Sequence, residues 1–448
     1  MAAPVEPRLF KGTRDFLPEE MLLRERLVET LKSTFRTYGF APLETPALEY
    51  LEILAGKYGA EGDRLIYRLA YKGGAVLALR YDLTVPLARV VAMYPQLGRP
   101  FKRYQVQPVW RADTPQPHQG RFREFSQCDV DTIGTDSRLA DAEIIALTVE
   151  SLAAIGFENF KVRINSRLIL AGMVERAGLP PAQLPEICRA IDKLDKIGLQ
   201  GVERELEKLG LEHQRRPILE LIELSGAPQE QLAELRRRAG AVPQLLAGAD
   251  ELEQLFEYLD LLGTARDRLT LDLYLARGLD YYTGPIFEAV LPEHPHIGSL
   301  SGGGRYDGLI GVFSGAPVPA VGISLGLDRI VTALRQLGPE PTDRSVTRVL
   351  VTYFDADCLP DSARALAELR RAGIPAELYL QADKLKKQFA YADRRSIPYV
   401  LVLAPDELAR GEVALKTLAS GEQERLTLPE VIRRIRQAPP PTAGRAKS

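Results

Sequence analysis

From Glu19 to about Tyr38, Met21, Leu22, Leu27, Leu31 and Phe35 recur at helical spacing, and Gly39 stands where that helix would end. The next stretch, Phe40 to Leu48, reads as strand material with two prolines, which suits an edge or border element rather than a central ladder. Short runs at Val76–Arg80 and Phe101–Trp110 then read as strands. A polar loop, Ala112 to Gly120, separates the second from a returning strand and predicts a hairpin. The spacing predicts a helix over 137–155, an extended segment over 160–164 and a helical block over 166–265, rich in Leu, Ala, Glu and Arg with repeated Gly/Pro stops. Alternation returns at Leu269–Leu275, runs through Ala276–Gly284 and continues into Ile286–Leu291 as further strand, so a sheet is interrupted and resumed. After a linker-like stretch at 338–347, Val349–Tyr353, a helix over 361–372 and Tyr399–Leu403 alternate in βαβ fashion. The tail from Pro439 is Pro-rich and polar and is expected to be disordered.

Composition narrows the class without changing that outline. At 448 residues the chain is long enough for two or three domains with a sizeable core. No apolar run approaches the roughly 20 residues of a membrane span, and the first residues carry no secretory signal, so a cytoplasmic protein with no membrane partner is expected. Cys128, Cys188 and Cys358 are odd in number and widely spaced, which argues against a disulfide framework and a thiolate metal site. His294 and His296 are a pair without a third ligand nearby, so no metal site is assigned. A formal net charge of -2 gives no global pull on nucleic acid. Binding of that kind must use local patches, such as Arg99, Lys102, Arg103, Arg111, Arg121 and Arg123, or Lys384, Lys386, Lys387, Arg394 and Arg395.

Four constellations carry chemistry. On the returning strand Arg121, Arg123, Phe125, Gln127, Asp129 and Asp131 share one face with hardly any apolar content. Such a face can grip phosphate, stack a base and hold an ammonium group. Ser301–Gly308 brings three glycines together, which lets a ligand approach the backbone, and Ala320–Ile330 reads as a strand turning into a helix with Arg329 in its first turns. The nonapeptide Ala276–Gly284 gathers Arg277, Asp280, Tyr281 and Tyr282; as a strand it would turn Arg277 and Tyr281 one way and Tyr282 the other. Leu79–Pro86 is a strand ending in Asp82 and Thr84, open to reading as a ligand site or a helix cap.

The first two of these resemble motifs 2 and 3 of the class II aminoacyl-tRNA synthetases. The nonapeptide, with Lys11–Pro18 near the start, resembles the histidyl-tRNA synthetase family in order and spacing over nearly the whole chain. The resemblance implies an α+β fold: a class II antiparallel sheet catalytic core over 1–165 and 266–336, a helical insertion over 166–265, a linker at 337–347, a C-terminal α/β anticodon-binding domain over 348–437 and a tail at 438–448. It implies a homodimer built partly on motif 1 at residues 39–54, with L-histidine, ATP, Mg2+ and tRNA(His) as substrates, cofactor and partner.

The same resemblance distributes roles. Arg111 and Arg277 would flank the α-phosphate of ATP, and Arg121 and Arg329 the outer phosphates or the adenine face, with Phe125 stacking the base. Asp82, Leu83, Thr84 and Gln127 would surround the histidine ammonium group, Asp131 and Tyr282 the two ring nitrogens, Tyr281 would shape the pocket and Gly302–Arg305 its floor. Thr114 and Gln116 in the polar loop would touch the tRNA 3′ end, and Lys384, Lys387 and Arg394 the anticodon. Thr114–Gly120 departs from the shorter Arg-Pro-Gln-Lys-Gly loop of many bacterial members, and Asp82-Leu-Thr84 is similar to the eukaryote-like branch. A synthetase-like regulatory subunit of histidine biosynthesis is the alternative; it typically lacks the nonapeptide and the C-terminal domain, and both are present here.

Overall fold

A computed structural model describes residues 5–276, 281–337 and 345–438. The chain divides into two compact units: 1–14 with 27–336, and 15–26 with 337–448. No helix among the described residues is long and apolar enough to cross a membrane.

The larger unit is built on an eight-stranded sheet. Its strands run Ala41–Pro42, Phe101–Trp110, Glu124–Ile133, Ala320–Gly326, Ser301–Arg305, Pro285–Val290, Lys161–Ser166 and Leu269–Leu271 in spatial order. Pairing is antiparallel through the middle and parallel only at the two edges. The expected hairpin is its longest ladder, pairing Phe101 with Ile133 and Trp110 with Glu124. The helix Arg138–Ala154 starts where the Ser137 hydroxyl accepts the Leu139 N–H, and it buries Ile144, Ile145 and Leu152. Between Arg167 and Leu261 the chain is helical, ending in the long helix Pro243–Leu261, which lies so close to Arg167–Arg176 that a side chain on Gly172 would strike Leu245. A three-stranded sheet of Leu48–Tyr50, Leu77–Leu79 and Arg68–Leu69 completes this unit.

The smaller unit carries a five-stranded sheet ordered Ala376–Leu378, Val349–Val351, Tyr399–Val402, Val413–Thr417 and Gln423–Leu426. Its first three strands are parallel, as the βαβ reading requires, and two antiparallel strands extend them. Val349, Val351, Leu401 and Leu415 pack against Leu369, Val431 and Ile435 in one core. Val349–Val351 and Tyr399–Val402 read as near-continuous apolar runs because both faces of a parallel strand are covered.

Two strand expectations fail. The strand from Leu269 stops at Leu271, and Ala276 and Tyr281–Gly284 are not in a ladder, which resumes only at Pro285. Side chains take over the backbone there: from a distant strand Asn165 Nδ2 donates to the carbonyls of Leu273 and Leu275, and locally the Asp272 carboxylate accepts the Tyr274 N–H. Arg277 and Asp280 lie outside the described residues. The returning strand begins at Glu124, so Arg121 and Arg123 precede it. Arg123 is drawn off its expected face by the Lys11 and Asp113 carbonyls, with its guanidinium over the Phe10 ring.

Candidate active site

The Glu124–Ile133, Ala320–Gly326 and Ser301–Arg305 strands form the floor of a cleft of ≈ 370 Å³ in the larger unit. Alternation along the first of these sends Phe125, Gln127, Asp129 and Asp131 into it. Glycines opposite leave the room: a side chain on Gly322, which pairs with Asp131, would overlap the Asp131 carboxylate itself. Asp82 and Thr84 enter from the start of the Thr84–Met93 helix. Asp113, Thr114 and Gly120 come from the polar loop and Arg111 and Arg121 from its two flanks, and Tyr281, Tyr282, Tyr306, Asp328 and Arg329 complete the wall.

Each acid has a definite setting. Asp82 is buried and accepts both the Val85 N–H and the Tyr58 hydroxyl at 3.0 Å, so it caps the helix and lines the cleft at once. Burial raises its pKa, against the Val85 N–H and the nearby Arg111 charge. Gln127 Nε2 donates to Ser324 Oγ at 2.6 Å, which leaves its buried Oε1 with no partner among the described residues. Asp131 pairs at 2.8 Å with Arg103, a guanidinium 0% exposed, and also accepts the Tyr306 hydroxyl. Burial raises the Asp131 pKa, and Arg103 and then Tyr306 oppose it. Asp129, 2% exposed, is pushed up to about 7, chiefly by burial, with Arg103 pulling the other way.

The cations sit toward the other end. Arg111 donates through Nε to the Tyr81 carbonyl at 3.1 Å, and its guanidinium lies 4.3 Å from the Tyr81 ring centroid and 5.0 Å from that of Phe125. Arg121 meets Asp113 at 3.1 Å in an exposed pair. Arg329 donates to the Ser299 carbonyl at 2.6 Å, holding its helix to the glycine-rich segment. Gly120, at φ +67°, ends the polar loop against the Arg329 Cα, where a Cβ would come within 2.8 Å. Asp328 ties the two motifs together by accepting the Ser126 N–H at 2.7 Å while pairing with Arg14. Tyr281 and Tyr282 both face the cleft with ring centroids 4.9 Å apart, and Tyr281 also meets Tyr306 at 5.9 Å. Burial holds the Tyr281 hydroxyl far above its usual pKa.

Of the residues expected from sequence, Asp82, Thr84, Arg111, Thr114, Arg121, Phe125, Gln127, Asp131, Tyr281, Tyr282 and Arg329 line this one cleft. Leu83 does not; it is fully buried, and its carbonyl accepts from Arg103. Gln116 lies back in the loop, paired through its backbone with Arg121. Arg305 is no part of the floor: it is 0% exposed and bound to Asp141 at 2.6 Å, with the Thr135 carbonyl beside it. Arg277 lies outside the described residues. Lys384, Lys387 and Arg394 belong to the smaller unit, where Lys387 pairs with Asp383 at 2.9 Å. Sequence reasoning gave no role to Asp129, Tyr58 or Tyr306, and it put Arg103 in a basic patch for nucleic acid, whereas Arg103 is fully buried against Asp131. Asp129 was within reach, because it shares the face of Gln127 and Asp131. Arg103 follows from hairpin register, which sets it opposite Asp131.

The chain matches a family model described as histidyl-tRNA synthetase over residues 12–330 and one described as an anticodon binding domain over 348–438. It is similar to a protein of Cytophaga hutchinsonii named histidine–tRNA ligase, 43% identical over 454 residues that take in 96% of this chain and 99% of the relative. Among solved structures it is similar to histidyl-tRNA synthetase from Nostoc sp. PCC 7120, with a TM-score of 0.86, 34% identity and coverage of 96% and 100% of the two chains. It is also similar to a protein of Bacillus halodurans C titled ATP phosphoribosyltransferase regulatory subunit/histidyl-tRNA synthetase, with a TM-score of 0.73, 26% identity and coverage of 88% and 97%.

Proposed function

Because the chain belongs to the histidyl-tRNA synthetase family and is an ATP-dependent histidine–tRNA ligase, we propose that the cleft over Gln127, Asp129 and Asp131 is where it joins histidine to AMP. In that step the histidine carboxylate forms a bond to the α-phosphorus of ATP and pyrophosphate leaves. Two anions must meet, and negative charge builds on the phosphoryl oxygens. Arg111 supplies fixed positive charge there, already oriented by the Tyr81 carbonyl and stacked between Tyr81 and Phe125. Arg277 is its partner in this proposal on the strength of the family resemblance. Arg121 and Arg329 take the outer phosphates or the adenine face, and Phe125 stacks the base. Mg2+ is assigned to the pyrophosphate end and carried in by the nucleotide, since among the described residues no group of three or more His, Cys, Asp or Glu side chains is set to hold an ion.

The amino acid is gripped at both ends. Asp82, Thr84 and the free Oε1 of Gln127 accept its ammonium protons, and Asp131 and the Tyr282 hydroxyl meet the two ring nitrogens. A site built to bond both nitrogens leaves buried polar groups unpaired with any other side chain, a penalty on the order of 10⁴ in selectivity. The observation that carries the proposal is this row of buried acceptors set beside a stacked guanidinium in a single cleft. The activated histidine then passes to the 3′ end of tRNA(His), with Thr114 and Gln116 alongside, while Lys384, Lys387 and Arg394 face the anticodon. A homodimer is supported by the exposed Leu48, Tyr50, Leu69, Tyr71 and Val76 on and beside the three-stranded sheet. The cytoplasm is the expected compartment. Arg111→Ala is expected to lower histidine-dependent ATP:pyrophosphate exchange by roughly 10²-fold or more, the usual cost of a lost transition-state charge; near-normal exchange would remove Arg111 from the role.

A further inference from the structure

Asp129 lies at the centre of the cleft floor, and the activation step proposed above gives it no task. It is 2% exposed, lines the cavity, and keeps Oδ1 without a hydrogen-bond partner among the described residues. Its neighbours are named by the strands around it. Ser324 on the Ala320–Gly326 strand stands opposite it in register and is its hydrogen-bond partner. Since the Ser324 oxygen already receives the Gln127 amide, the Ser324 hydroxyl proton points to Asp129. Arg103 reaches it from the Phe101–Trp110 strand, Asp131 from its own strand and Asp82 from the start of the Thr84–Met93 helix. Arg111 acts on Asp82, and Tyr306 on Asp131.

The charges on this floor do not balance. Three buried carboxylates, Asp82, Asp129 and Asp131, face one buried guanidinium, Arg103. Arg111 is committed to the substrate carboxylate and phosphate. A histidine ammonium group cancels one of the two remaining negative charges, and a neutral imidazole leaves the other buried and uncompensated, which is costly. A protonated ring cancels it and offers a donor at each nitrogen, one for Asp131 and one shared between the Tyr282 hydroxyl oxygen and the unpaired oxygen of Asp129.

We infer that Asp129 is a further specificity-determining residue of this site and that histidine is bound there with its side chain protonated, as an imidazolium. The inference rests on the cleft being the histidine site. Selectivity is then for a side chain that accepts a proton and stays flat, which excludes neutral amide and phenol side chains of similar reach. Asp129 is held at about 7 without ligand, mainly by burial, and a free histidine ring titrates near ~6.5. Between those values a proton simply moves from Asp129 to the ring. Above them both are unprotonated before they meet, and binding must take one proton from solvent.

Calorimetry of histidine binding to the full-length protein at pH 8, in two buffers of different ionisation enthalpy, reads that proton directly. Uptake of about one proton per site is expected in the wild type and clearly less in Asp129→Asn. Binding without uptake in the wild type would overturn the imidazolium, and equal uptake in the variant would overturn the part given to Asp129. Should the variant fail to fold, the ring nitrogens of bound 15N-labelled histidine at pH 8 decide on the wild type alone. Two protonated nitrogens support the inference, and one bare nitrogen contradicts it. Absence of any histidine binding would instead count against the cleft as the histidine site, a different failure from binding without a proton.

Discussion

Tyr282 and Asp131 share the task of meeting the imidazole but are fixed by unlike means. Asp131 is held by a buried guanidinium and a phenol, so it keeps one orientation before any ligand arrives. Tyr282 sits near the end of the nonapeptide with its ring against Tyr281. Tyr282→Phe keeps that packing and removes one hydroxyl, so the histidine KM is expected to rise about 10-fold or more, the cost of a buried polar partner left unpaired, with the ATP KM nearly unchanged. Steady-state exchange kinetics with each substrate varied in turn checks this; equal rises in both KM values would place the hydroxyl elsewhere. At this scale the sequence was informative wherever alternation alone fixed a direction, as for Phe125, Gln127 and Asp131. It misled for Arg305, because the partner that buries it, Asp141, is 164 residues away in the chain. Leu83 misled for a smaller reason: one step from Asp82 along the backbone turns the side chain from cleft to core.

Among the elements, the Glu124–Ile133 strand and the Ala320–Gly326 strand do most to make the cleft, one supplying functional groups and the other withholding side chains. Gly322→Ala therefore tests the pair rather than a contact. The added methyl must displace the Asp131 carboxylate or part the strands, an overpacking cost of about 1–3 kcal/mol. The expected result is a folded protein whose histidine KM rises at least tenfold while the ATP KM moves little, and an unchanged histidine KM would show that the floor yields without disturbing Asp131. The hairpin, the helical stretch from Arg167 to Leu261 and the βαβ start of the smaller unit were legible because their periodicity is local. The end of the Leu269–Leu271 strand was not, since Asn165, more than a hundred residues earlier, supplies the hydrogen bonds that replace the ladder.

For the molecule as a whole, buried carboxylates set a pH dependence of stability. Asp129 is pushed up to about 7 and Asp272 to about 6, in each case chiefly by burial, whereas an unfolded Asp titrates near ~4. The folded state thus binds these protons more tightly than the unfolded state. Their contribution is fully present below about pH 4, declines as pH rises through the folded values, and is gone above about 7. Asp129→Asn is accordingly expected to match the wild type in thermal unfolding at or below about pH 4 and to be more stable at pH 7.5, by on the order of 1 kcal/mol or more. Equal unfolding midpoints at both pH values would show that Asp129 is not held protonated. Assembly offers a second test at this scale: Tyr50→Glu puts a charge into the exposed apolar surface, and sedimentation is expected to find a dimer in the wild type and a monomer in the variant. A dimer in both would move the interface away from that sheet.

The central claim is that this cleft activates histidine and no other amino acid. Exchange of labelled pyrophosphate into ATP by the purified wild-type protein, measured with each of the twenty amino acids in turn, tests it most directly. Stimulation by histidine alone is predicted, with the others lower by on the order of 10⁴; stimulation by a different amino acid, or none with histidine, would contradict it.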